Sequence, residues 1–149
     1  MNTRRPLLLF PCSLFLLFAL LFLAACSPSV ELLALVTEAY ITAVADKDAD
    51  RLAAASCGAW EPQARHELEA FAGAETRAEG LSCSVLSLAD GAAAVTCRGA
   101  IVAAHEDADR YFPLSGRVFR LEEEAGMWRV CGADAVRPGV WGAGRGVGG

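Results

Sequence analysis

The stretch LSCSVLSLADGAAAVTCRGAI, residues 81–101, decides the fold. Leu81, Cys83 and Val85 alternate with Ser82 and Ser84. Val95, Cys97 and Ile101 alternate with Thr96, Arg98 and Ala100. Period-two alternation is the mark of a strand with one face on a core. Between the two runs, Ala89-Asp90-Gly91 forms a short turn with a glycine where positive φ costs little. A three-residue turn sets Leu88 opposite Ala92, and further along it sets Cys83 opposite Cys97. Both cysteines then share a face with Leu81, Val85, Val95 and Ile101. A two-residue turn or a bulge would break this register, because a slip of one residue moves every side chain to the other face.

That pairing organises the other cysteines. The chain has six. Cys12 lies in an apolar leader and Cys26 follows it, which leaves Cys57, Cys83, Cys97 and Cys131. Four cysteines in an exported domain point to two disulfides. With Cys83 and Cys97 joined, the second is Cys57–Cys131. A metal site is not expected, since there is no C-x-x-C pair and only His66 and His105 could assist.

Upstream of the hairpin the period changes to that of helices. Leu33, Val36, Tyr40 and Val44 recur at spacings of three and four, as on one face of a helix. Asp46-Lys47-Asp48 breaks this pattern, and Asp48 or Asp50 can cap a second helix through Leu52 and Ala53. Pro62 suits the first turn of a third helix, which runs to about Ala72 with Ala64, Leu68 and Phe71 inward. Gly73 to Gly80 is polar and reads as a loop. Downstream of the hairpin, His105 to Asp109 is an acidic turn and Tyr111 to Leu121 a strand, with Pro113 marking an edge or bulge. Met127 to Cys131 is the last strand. Three helices before a four-stranded antiparallel meander make an α+β fold.

The hydrophobic fraction of 54% over 149 residues is uneven. Arg4 and Arg5 precede a run of leucine and phenylalanine from Leu7 to Leu23, interrupted by Pro11. Then comes Leu23-Ala24-Ala25-Cys26. A basic start, an apolar stretch and small residues before a cut describe an export signal. The last four residues resemble a bacterial lipobox. That resemblance implies cleavage before Cys26 and a lipid on its sulfur, and two or three acyl chains give stable anchoring. Residues 1–25 are then a signal peptide, 26–29 a tether, 30–133 the domain and 134–149 a glycine-rich tail that reads as disordered. Ser27 after the cysteine permits the outer membrane where the host has one; otherwise the outer face of the cytoplasmic membrane holds the protein. No second long apolar run exists, which excludes a polytopic membrane protein. The chain carries 13 Lys and Arg against 18 Asp and Glu, and losing Arg4 and Arg5 makes it more acidic still. Binding to nucleic-acid phosphates is therefore not expected.

Ala39-Tyr40-Ile41-Thr42-Ala43-Val44-Ala45-Asp46-Lys47-Asp48 and Leu52 resemble the first helical hairpin of the nuclear-transport-factor-2-like superfamily. Ala125-Gly126-Met127-Trp128-Arg129-Val130 resembles its terminal hairpin. With Cys57, Trp60, Cys83, Cys97 and Cys131, residues 30–133 are similar to uncharacterised cysteine-containing bacterial lipoproteins of that fold. The resemblance implies a cone, in which a curved sheet wraps a long helix and often leaves a pocket. It covers enzymes and non-enzymes alike, so it leaves function open.

Candidate chemistry is sparse. Tyr40 lies on the apolar face of the first helix, with its hydroxyl expected at the pocket rim, and Trp60 follows the second helix. These two are the candidate ligand contacts. His66 points away from Leu68 and toward solvent. Trp128 reads as core, and Glu67 and Glu69 as a solvated face. Asp46, Asp48 and Asp50 fit a turn and a cap rather than calcium. Arg98, Arg117, Arg120 and Arg129 read as strand cations in surface pairs. No phosphate loop, nucleophile elbow or ordered triad is present, and no cofactor is expected. The leading expectation is a non-enzymatic lipid-anchored protein that binds a small apolar ligand or a partner protein. An isomerase- or hydrolase-like enzyme and a purely structural module are the alternatives. The 26 alanines after the leader leave little bulk to fill a core, which favours a cavity. Mass spectrometry of the membrane form is expected to show loss of residues 1–25 and added lipid on Cys26. A Cys26→Ser chain should stay unprocessed or be released, and an unmodified Cys26 in the native protein would refute the anchor.

Overall fold

The computed structural model describes residues 29–105 and 108–135. The expected signal peptide (1–25), Cys26 and most of the expected tail lie outside them. Three helices come first: α1 (Val30–Asp46), α2 (Ala49–Ala55) and α3 (Glu61–Glu69). Five strands follow: β1 (Glu75–Ala89), β2 (Ala92–His105), β3 (Ala108–Pro113), β4 (Arg117–Glu124) and β5 (Met127–Ala135). The fold is α+β, with the helices packed on an antiparallel sheet. None of the helices among the described residues is long and apolar enough to cross a membrane.

Local chemistry fixes the helix ends. The Ser29 side chain accepts from the Leu32 amide at 3.1 Å and caps α1. Lys47 closes α1 in the left-handed conformation, and Asp48 opens α2 by accepting from the Arg51 amide. Left-handed C-caps and Asp N-caps satisfy the end groups that a helix leaves unpaired. Leu33, Thr37, Tyr40, Ile41 and Val44 form the buried face of α1. They pack against Val95, Cys97, Phe119, Leu121 and Val130 from the sheet.

The sheet order is β1-β2-β4-β5, with β3 also on β2. The expected four strands are five, and the sheet is not strongly curled, so the cone is not formed. The expected loop from Gly73 to Gly80 is mostly strand: Glu75 to Glu79 pair with Ala104 to Ala100. Its polar side chains sit on an edge strand, where water reaches them, so low hydrophobicity misled the reading. The expected single strand from Tyr111 to Leu121 is split by a turn at Leu114–Gly116, because β2 changes partner there. Ala92–Thr96 pair with β4, and Ala100–His105 pair with β3. Leu114 plugs the corner and is buried, and its amide donates to the Gly99 carbonyl at 3.0 Å. At the other end the last strand runs past the expected Cys131 and into the expected tail: Gly132 to Ala135 complete β5 against Arg120 to Arg117.

Cys83 does face Cys97, by a different route from the one expected. The turn has two residues, Asp90 and Gly91, both at positive φ, so Ala89 faces Ala92. A bulge at Leu86 then inserts one residue into β1. The two departures cancel, and Val85↔Val95 and Cys83↔Cys97 come into register. The Cys83 and Cys97 Cα atoms are 4.1 Å apart, the close spacing of a pair that exchanges no ladder hydrogen bonds. Cys57 joins Cys131. There a second bulge skips Cys131, since Arg120 faces Gly132 and Leu121 faces Val130.

A third bulge sets Gly80 and Leu81 opposite Gly99. Gly99 has φ +101, and a Cβ built on it would lie 2.7 Å from the Gly80 carbonyl carbon. Only glycine permits this approach. Gly99→Ala should lower unfolding free energy by about 2–4 kcal/mol in urea titrations. Gly73→Ala, where a Cβ meets nothing within 4 Å, should stay within about 0.5 kcal/mol of the parent.

Candidate functional site

The chemistry-bearing side chains converge where α1, α3 and β4 meet. Tyr40 projects inward from α1 and is 1% exposed. Its hydroxyl donates to Glu67 Oε2 at 3.2 Å and accepts from Trp60 Nε1 at 3.1 Å. The Arg117 guanidinium donates to Glu67 Oε1 at 2.8 Å. The same guanidinium carbon stands 5.2 Å over the Phe119 ring, which meets Tyr40 edge-on at 6.1 Å. One carboxylate thus ties three elements: a helix that carries it, a helix tyrosine and a strand arginine.

Burial and the nearby Glu67 charge push the Tyr40 hydroxyl well above its ordinary pKa of 10.0. Both causes favour the neutral form: burial disfavours any charge, and a carboxylate disfavours a second anion. The hydroxyl is therefore a fixed donor and acceptor rather than an acid. The Tyr40 hydroxyl is enclosed rather than at a rim, and Trp60 is half-buried at the start of α3. Neither lines the two grooves described below. His66 is exposed beside Glu69, as its helix position implied.

Glu67 departs from the expected solvated face, and Arg117 from a surface pair; both are half-buried. A helical-wheel signal existed for Glu67. It lies 60° from Ala64 and 100° from Leu68 at 100° per residue, on the flank of the inward stripe. Nothing in the sequence marked Arg117 as its partner, because the two are 50 residues apart. Arg129 is likewise drawn inward. It donates to the Ser56 carbonyl at 3.3 Å and pairs with Glu124 at 3.7 Å. Trp128 packs on the rim of the core. Asp46 and Asp48 pair with Arg51, and among the described residues no group of three or more His, Cys, Asp or Glu is placed to hold a metal ion.

Two grooves flank α1. A cleft of about 290 Å³ lies between Val36 and Ala39 of α1, Arg51, Ala54 and Ala55 of α2, and Trp128 of β5. A wider groove of about 700 Å³ runs between the first turns of α1 and the end of β1.

No family model and no curated protein matches the chain. Among solved structures, it is similar to the solution structure of a SEC-C motif containing protein from Rhodopseudomonas palustris. The match has a TM-score of 0.47 and 13% identity, and covers 68% of this chain and 77% of that chain.

The Tyr40 cluster predicts an alkaline signature. With the folded pKa raised, the unfolded chain loses the phenolic proton first. Stability is whole below pH 10.0 and falls above it by about 1.4 kcal/mol per pH unit. The phenolate absorbance of Tyr40 should appear only with unfolding, and Tyr40→Phe should remove this part of the slope. At neutral pH that variant leaves Trp60 and Glu67 each short of a partner, at a cost of about 1–3 kcal/mol.

Proposed function

We propose that the mature chain is an exported, lipid-anchored and non-catalytic module of the cell envelope that binds an apolar group. The bound group is a small apolar ligand or an apolar side chain of a partner protein, held in the cleft between α1, α2 and β5. The two disulfides fit an extracytoplasmic protein, and the leader with Cys26 supplies the anchor. We also place the chain as a distant, flattened relative of the nuclear-transport-factor-2-like superfamily. In support stand the aromatic Tyr40 in α1, the tight Lys47–Asp48 turn into α2 and the closing Gly126-Met127-Trp128 hairpin.

The observation that carries the non-catalytic reading is the closure of the Tyr40 cluster. The Tyr40 hydroxyl, both Glu67 oxygens and the Trp60 nitrogen already bond one another or Arg117. A catalytic tyrosine or carboxylate needs a free position toward substrate. The cleft, in contrast, is open and almost wholly apolar, with an aromatic wall at Trp128 and one guanidinium, Arg51, among its lining residues. Such a site suits dispersion and hydrophobic contact.

The test uses the dye 1-anilinonaphthalene-8-sulfonate on the purified domain. Its fluorescence should rise on binding, and Ala54→Trp, which fills the cleft from an exposed position, should abolish most of the rise. Leu86→Ser, on the other groove, should leave it. An unchanged signal in Ala54→Trp overturns the site.

A further inference from the structure

The wider groove carries a second inference, which rests on the lipid-anchored reading. Among the described residues, six of the eight exposed large hydrophobic side chains are Val30, Leu32, Leu35, Leu86, Leu88 and Met127. Val30, Leu35, Leu86 and Leu88 line one groove. They are 62%, 55%, 55% and 37% exposed. Leu32 is on the first turn of α1 too, but on the flank toward Val36 and Ala39. Met127 lies at the same end of the sheet, since Ala92 faces Glu122 and Glu122 faces Arg129. An apolar concentration of this kind marks a surface that meets something other than water.

The position of the anchor says what that is. Ser29 is fixed as the α1 cap. Only Ser27 and Pro28 separate it from Cys26. Three residue steps span at most roughly 11 Å, so a lipid on Cys26 holds the start of α1 at the bilayer surface. The groove opens beside that same turn. Lipid anchoring therefore brings these side chains to the bilayer without further binding energy to find it.

We propose that the face formed by Val30, Leu35, Leu86 and Leu88 rests in the bilayer interface and fixes the orientation of the domain on the membrane. The bulge at Leu86 serves this arrangement, because it is the inserted residue and projects from the edge strand. The charges in the groove are acidic, Glu31 and Glu38, and at the same end Arg120 and Arg129 are taken up by Glu122 and Glu124. Glu38 is already engaged, accepting from the Cys83 amide on the edge of β1 at 2.9 Å. Attraction to anionic headgroups thus contributes nothing, and the contact is apolar. Salt should strengthen it on anionic vesicles by screening repulsion, the opposite of a basic membrane patch.

The experiment uses the acylated protein in vesicles of phosphatidylethanolamine and phosphatidylglycerol. An environment-sensitive fluorophore is placed on Leu35→Cys, on Leu86→Cys and, as the far-end control, on Arg110→Cys. All three positions are exposed, so folding is undisturbed. Labels at 35 and 86 should shift to the blue and lose most of their emission to brominated lipid, while the label at 110 keeps both. If the protein is acylated and floats with vesicles, yet all three labels behave alike, the inference fails and the anchor stands. If Cys26 carries no lipid, both fail. Labels at 35 and 86 that are already shielded in detergent solution, with the chain running as a dimer, assign the face to a second copy and overturn the bilayer contact.

Discussion

The close approach of Gly99 to Gly80 is the constraint on which the sheet depends. β2 has neighbours on both sides along most of its length, and it has two different neighbours on one of them. Ala92–Thr96 lie beside β4, and Ala100–His105 lie beside β3. A strand can hand over in this way only if its backbone bends between the two pairings. The bend falls at Gly99, opposite the bulge at Gly80 and Leu81, where a side chain would run into backbone. Leu114 then fills the corner, and its amide bonds the Gly99 carbonyl. With β4 displaced from β3, Phe119 and Leu121 come under α1, and the core closes around Tyr40.

The β1 and β5 edges of the sheet are treated differently. Beside β5, Ser56 and Cys57 run on from α2 and add a bridge to Val130, with the Cys57 amide donating to the Val130 carbonyl. The Cys57–Cys131 disulfide and the Arg129 contact to Ser56 hold that cover in place. Beside β1, the cover is a side chain. Cys83 belongs to a pair whose amides point away from each other, so its N–H faces the edge, and Glu38 accepts it. A carboxylate there also discourages another strand from pairing, since exposed edges otherwise recruit one. The polar network at Tyr40 follows the same logic in the core: a hydroxyl buried without partners would cost more than the tyrosine's packing returns. Glu67, Trp60 and Arg117 remove that cost, and in doing so fasten α3 to α1 and β4.

Much of the fold was legible in short-range pattern. Apolar spacing placed α1, Asp48 and Pro62 marked the starts of the next helices, and alternation around Cys83 and Cys97 gave the central hairpin. The cysteine pairing was legible too, although the turn and the Leu86 bulge were each misread and offset one another. The misreadings share a cause. Glu75 to Glu79 lack the alternation of a core strand because β1 is an edge, and the break at Leu114 has no local signal stronger than Gly116, because the change of partner on β2 imposes it.

The sequence by itself determined the apolar leader ending at Cys26, the acidic balance, the α+β order of elements and the positions that face inward. These follow from periodicity, capping and composition, which act over a few residues. The tertiary structure alone decided that the Tyr40 hydroxyl is enclosed rather than at a rim, that Glu67 and Trp60 are its partners, and that Arg117 holds Glu67. It alone decided that β2 serves two neighbours and that Leu35 of α1 and Leu86 and Leu88 of β1 share one face. Each of these joins residues distant in the chain. Only the packing of α1 on the sheet, and the bend at Gly99 that allows it, brings them within reach of one another.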